Sequence, residues 1–141
     1  MTHPREEITW KPLQAGAFMD GLGPVKAARD VEGDFVYALD TTGAHANVLG
    51  QVHGGVIASL LDQTVAMVAW HTADRAPTVT VQMDTRFVAP AQPGVRLTAR
   101  ARLRHRTGGM MFLDAEISDG ARLVALATAV MKIAGKAAGD V

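Results

Sequence analysis

Asn47 to Asp62 read N-V-L-G-Q-V-H-G-G-V-I-A-S-L-L-D, a run in which polar residues and glycines lead straight into an otherwise apolar helix. A helix start presents backbone N–H groups that lack intrahelical partners, at the positive end of the helix dipole. Such amides can polarise a carbonyl and hold the charge that develops on its oxygen. Asp62 is a carboxylate inside the apolar helix, a costly placement unless the group is paired or put to use. Together these features suit the activation of a water beside a polarised carbonyl.

Each residue also has a plainer reading. Gly54 and Gly55 could serve only to let the chain turn. Asn47 could be a turn or capping residue. Asp62 could bond a neighbouring backbone amide where the helix packs closely. His53 could ligate a metal, but no second His or carboxylate stands near it at ligand spacing, and no metal or other cofactor is expected. His45, eight residues before His53, lies in an irregular segment and is a weak pointer to a site.

These side chains need a frame. Gly55 to about Trp70 forms the helix, apolar on nearly all sides and therefore in need of cover on nearly all sides. At 100° per residue, Gly55, Ala58, Ser59, Asp62, Ala66 and Ala69 share one band of small residues, with Ile57, Leu60, Leu61, Met67 and Val68 mostly outside it. Before the helix, Leu13 to Met19 predicts a short leading helix ended by Gly21–Gly23, and Val25–Val31 and Phe35–Leu39 predict a hairpin turning at Glu32-Gly33-Asp34. After it, Thr78–Val88 alternates, with Val79, Val81, Met83, Thr85 and Phe87 on the helix-facing side and Thr80 on the opposite one. Val95–Arg106 alternates again, and Arg96, Arg100, Arg102, Arg104 and Arg106 line its outer face. That row reads as a solvated face paired with Asp114 and Glu116, or, at Arg104 and Arg106, as a phosphate site. Met110–Ser118 turns Met111, Leu113, Ala115 and Ile117 inward, and Arg122–Ala134 reads as a central strand covered on both sides. One long helix against a mostly antiparallel sheet is an α+β layout, with a second protomer covering what the curled sheet leaves open.

Composition closes off other classes. The chain has 141 residues, 48% hydrophobic, with zero formal net charge, which suits one folded domain and removes the electrostatic case for nucleic-acid or anionic-membrane binding. It has no cysteine, so thiolate zinc sites and cysteine nucleophiles are excluded. No stretch suits a secretory signal or a membrane span, and a cytoplasmic protein is expected. No G-x-S-x-G elbow or Walker-type loop occurs.

The motif N-x-x-G-x-x-H-G-G-x-x-x-x-L-x-D, together with T-V-T-V-Q-M-D-T-R-F-V-A-P-A over Thr78–Ala91, resembles the hotdog-fold acyl-CoA thioesterases, in particular their phenylacetate-degradation branch. The resemblance implies one hotdog domain over residues 1–141, with a lead segment to 24, a core of about 25–134 and a flexible tail over 135–141. It implies hydrolysis of aryl- or short- to medium-chain acyl-CoA. Asp62 would be general base or nucleophile, and the Gly55 N–H would polarise the thioester carbonyl. His53 and Asn47 would orient thioester or water, and Thr80 would help hold the water. Gly54, Gln63, Arg104 and Arg106 are assigned to substrate binding. Gly55 and Asp62 lie about 10 Å apart along one helix, too far to grip one thioester carbon. The site is therefore expected to join Asp62 of one chain to Asn47, His53 and Gly55 of another in a homodimer, which could pair further into a homotetramer. Alternatives are a non-catalytic acyl-CoA sensing domain, disfavoured because fewer than about 25 residues precede the first strand, too few for a helix-turn-helix, and a 3-hydroxyacyl-thioester dehydratase, disfavoured because no Pro-Gly context follows His53.

Overall fold

A computed structural model describes residues 8–136. In chain order, β1 (Lys11–Pro12) and α1 (Ala17–Leu22) precede a hairpin of β2 (Val25–Arg29) and β3 (Phe35–Asp40). A 3-10 turn (Gly43–His45) leads to α2 (Gly54–Thr72), then β4 (Thr78–Phe87), β5 (Arg96–Arg106), β6 (Met110–Ser118) and β7 (Leu123–Ile133). The strands form one antiparallel sheet in the order β1-β2-β3-β5-β6-β7-β4, curled about α2. The α+β expectation holds.

The helix is positioned by what it buries. Val56, Ile57, Leu60, Leu61, Thr64, Val65 and Ala69 are buried against the concave face of the sheet, which supplies Leu97, Met111, Leu113, Ile117 and Met131. Removing any one of these large side chains to Ala should cost about 2–5 kcal/mol. Most of the band predicted from periodicity is left open: Gly55 and Asp62 are exposed and Ala58, Ser59 and Ala66 half-buried, but Ala69, placed in the same band, is fully buried against the sheet.

β4 departs from the predicted phase. Thr80 pairs with Met131 and Gln82 with Val130, so Val81 is an extra residue in the ladder. Strict alternation puts Val79 and Val81 on the helix side. The bulge inverts that half of the strand, leaving Val79 and Val81 49% and 56% exposed. Thr80 thereby joins the face that carries Met83, Thr85 and Phe87. β5 has a similar shift between Leu103 and His105, which makes Arg104 the bulged residue. Arg106 then pairs with buried Met111, leaves the outer arginine row and reaches the end of α2.

Two other expectations change. α1 begins at Ala17 rather than Leu13, because Gly16 (φ 86°) turns the chain into it and Leu13 is still bonded to Val25 through its N–H. β1, too short to show alternation, pairs with β2 at the sheet edge. β7 is fully buried on the helix side at Ala125, Ala127, Ala129 and Met131, while its other face is only partly covered: Val124 is buried, Leu126 and Val130 are half-buried, and Thr128 and Lys132 are exposed. Inward-facing Met111, Leu113, Ala115 and Ile117 match the prediction. Most of the 135–141 tail lies outside the described residues.

The β2–β3–β5 end of the sheet is pinned by charge. Asp40 accepts from Arg96 through both carboxylate oxygens (2.6 and 2.9 Å) and from Lys26 (3.2 Å). Hydrogen bonding from Arg96, opposed by partial burial and assisted by Lys26, holds the Asp40 carboxyl down at about 2, against its usual 3.8. A depressed carboxyl stabilises the fold above its unfolded pKa, and that contribution is lost as pH falls from 3.8 through about 2. Half the side chain is exposed, so solvent screening limits the gain to about 0.5–1 kcal/mol. Asp40→Asn should therefore lower stability by about that much at pH 7 and by progressively less as pH falls from 3.8 toward 2, read from urea unfolding across that range.

Candidate active site

His53 is the residue from which α2 starts. Its backbone is extended (φ −62°, ψ 137°), and its ring Nδ1 accepts the Gly55 N–H at 2.8 Å. The Val56 N–H is bonded to the His53 carbonyl at 3.0 Å. Among the described residues the Gly54 N–H meets no protein acceptor. Neither glycine has a positive φ, so the turn itself does not call for them; their neighbours do. A Cβ on Gly54 would sit 3.3 Å from the Phe87 ring, and one on Gly55 would sit 3.0 Å from His53 Nδ1. Phe87, a residue sequence reasoning treated only as a strand position, thus lies over the helix start while remaining 58% exposed. The strand exit that follows it, Val88-Ala89-Pro90, brings Ala91 beside Val52.

Asn47 organises the loop before the helix. Its side-chain oxygen accepts the N–H groups of Leu49 (2.9 Å) and Gln51 (3.1 Å), and Gly50 takes φ 76° to complete the turn. The side-chain oxygen therefore serves the loop.

Asp62 lies two turns further along α2. The Thr80 hydroxyl donates to its Oδ1 at 2.7 Å, and the carboxylate stays exposed. The Val81 bulge brings these two together. Gln63 is half-buried beside Asp62. Ser59 donates to the Gly55 carbonyl at 2.7 Å, so its hydroxyl is used within the helix.

The arginines lie elsewhere. Arg106 donates to the Thr72 carbonyl at 3.0 Å, at the C-terminal end of α2, and Arg104 stands 3.5 Å from Asp114. One chain therefore gathers His53, Gly54 and Gly55 at the helix start, places Asp62 and Thr80 together about 10 Å along it, and keeps Arg104 and Arg106 apart from both.

A seven-stranded antiparallel sheet curled about a single long helix defines the hotdog class. The thioesterase superfamily profile matches residues 49–126, more than half the chain, and the chain belongs to that family. Acyl-coenzyme A thioesterase 13 of Homo sapiens is 25% identical over 121 residues, covering 86% of each sequence. A Pseudomonas aeruginosa protein provisionally named an esterase, PA0474, is 30% identical over 126 residues, covering 88% of this chain and 94% of its own. A phenylacetic acid degradation-related protein of Ralstonia eutropha JMP134, provisionally described as a thioesterase, superposes with a TM-score of 0.74 at 34% identity, covering 87% of this chain and 92% of its own. No helix among the described residues is long and apolar enough to cross a membrane.

Proposed function

We propose that the protein hydrolyses acyl-CoA thioesters, with aryl or short- to medium-chain acyl groups, to the free acid and CoA. The observation that carries this is the Thr80–Asp62 hydrogen bond, which aims an otherwise free carboxylate at solvent along a stripe of small residues. Asp62 takes a proton from water as the water oxygen bonds to the thioester carbon, and Thr80 holds carboxylate or water in line. The carbonyl oxygen gathers charge beside the helix start, where the dipole and the amides of Gly54 and Gly55 stabilise it. The C–S bond then breaks, and the proton held by Asp62 passes to the departing thiolate. As an alternative for the same residue, Asp62 attacks the carbon itself.

The Gly55 N–H is occupied by His53 Nδ1 in the free chain. The substrate carbonyl takes the place of that ring, and His53 turns to orient the thioester or the water. Asn47 acts by shaping the loop that delivers His53.

The two halves of the site come from two chains. β4 is bonded to β7 on one side and forms the sheet edge on the other, with Val79 and Val81 exposed beside it. A hydrophobic strand edge next to an uncovered helix stripe is a surface for a second copy. Covering it brings the His53–Gly55 start of one helix toward Asp62 of the other.

The test is a panel of aryl- and alkyl-CoA thioesters assayed for released thiol. Turnover of at least one is expected, at a kcat on the order of 1 s⁻¹ or faster. A folded, dimeric protein that binds acyl-CoA without releasing thiol would instead be a sensing domain. Loss of water from 3-hydroxyacyl thioesters without thiol release would make it a dehydratase.

A further inference from the structure

We propose that His45 is a positioning residue for the helix start: its ring fastens the loop that carries His53 and so sets where the Gly55 amide is presented. The kinetic part of this inference rests on the thioesterase reading, and the structural part stands without it.

His45 is 6% exposed, one of three buried polar residues, with Thr41 and Thr64, among the described residues. Its Nδ1 accepts the Thr42 N–H at 3.0 Å, and its Nε2 meets the Leu22 carbonyl. An imidazole nitrogen that accepts carries no proton, so the proton sits on Nε2 and is donated to Leu22. The ring thus ties the end of α1 to the 3-10 turn. Gly23, at φ 125°, lets the chain leave α1 close by: a Cβ there would lie 3.9 Å from the His45 ring.

The backbone of His45 faces the site. Its carbonyl accepts the His53 N–H at 2.8 Å. The intervening loop is closed on itself by the Ala46–Val52 bridge and by the two bonds to the Asn47 side chain. Downstream it is fastened where the Val52 N–H meets the Ala91 carbonyl at 2.8 Å. A loop braced internally moves as a unit, so its orientation depends on its anchors. His45 is the upstream anchor, one hydrogen bond away from the residue whose ring caps Gly55. A shift there passes to His53 without passing through the hydrophobic core.

Two substitutions separate the ring's two bonds. His45→Asn keeps an acceptor near the Nδ1 position and loses the reach to Leu22. His45→Gln keeps a donor near the Nε2 position and loses the bond from Thr42. For folded His45→Asn, kcat is expected to fall about 10-fold with KM changed less than about 2-fold, as displacement of an orienting group does. The His53 and Gly55 amides should exchange with deuterium about 10-fold faster. His45→Gln should recover kcat to within about 3-fold of wild type. Wild-type kcat and wild-type exchange at both amides in folded His45→Asn would overturn the proposal and leave a histidine that only supports the fold. If neither variant folds, ¹⁵N spectroscopy of the unaltered protein decides. It should show the Nε2–H tautomer with a slowly exchanging ring proton, and a freely exchanging or Nδ1–H ring refutes the anchor. If the wild-type protein turns over no acyl-CoA, the thioesterase reading fails, while the amide exchange still decides whether His45 holds His53.

Discussion

Asp62→Asn should lower kcat for an acyl-CoA substrate by about 10³-fold while the protein stays folded. The substitution keeps the shape of the side chain and retains an oxygen that can accept the Thr80 hydroxyl, which donates at 2.7 Å in the wild-type chain. The residue is exposed, so little packing is disturbed. What is lost is the group that accepts the water's proton, or, in the covalent variant, the nucleophile. Binding of a nonhydrolysable acyl-CoA analogue should change little, because the helix-start amides are untouched. Removing only the donor, in Thr80→Val, should cost about 10-fold, since the carboxylate remains and only its orientation is relaxed. Single turnover in ¹⁸O-water tests the nucleophilic role of Asp62: label in its carboxylate shows an acyl–aspartyl anhydride opened by water at the aspartyl carbon, whereas a general base leaves that carboxylate unlabelled. A correctly folded Asn variant with kcat within about 10-fold of wild type would remove Asp62 from the chemistry.

The second large effect comes from mixing inactive chains. Asp62→Ala lacks the base, and Gly55→Pro lacks the amide; each should be inactive alone. In a hybrid dimer of the two, a shared site leaves one pocket with both lesions and the other intact, so the hybrid has about half of wild-type activity. Random exchange at equal concentrations makes about half the dimers hybrid, giving about one quarter of wild-type activity overall. If base and amide act from the same chain, every pocket carries one lesion and the mixture stays inactive. The separation of about 10 Å along α2 is the reason to expect the first result. Refolding the two variants together, with subunit exchange followed by mass spectrometry, ensures that absent activity is not absent mixing.

The sheet, the central helix and its open stripe were legible because they follow from periodicity. Leu60, Leu61 and Val65 on one side and Ala58, Ser59 and Asp62 on the other are set by 3.6 residues per turn, whatever surrounds them. The inward residues of β6 follow as directly from a period of two. The motif from Asn47 to Asp62 was legible as a family resemblance, and the profile match beginning at residue 49 supports the same family. Sequence reasoning failed where the ladder breaks its own period. The Val81 bulge reverses the first half of β4, and the Arg104 bulge moves Arg106 off the outer face. Nothing in the local residue types announces either insertion, because a bulge is chosen by the partner strand and by twist.

The amino-acid sequence by itself therefore determined the α+β class, the position of the helix and the small-residue stripe on which Asp62 stands. Those are local or periodic properties, carried by consecutive residues. The tertiary structure decided that Thr80 bonds Asp62, that His53 caps the Gly55 amide, that Phe87 lies over Gly54 and that His45 anchors the loop between them. The Thr80–Asp62, Phe87–Gly54 and His45–Leu22 pairings depend on strand register or chain reversal, which joins residues remote in sequence; the His53 cap is local, two residues from Gly55, and depends on how the ring is turned at the helix start.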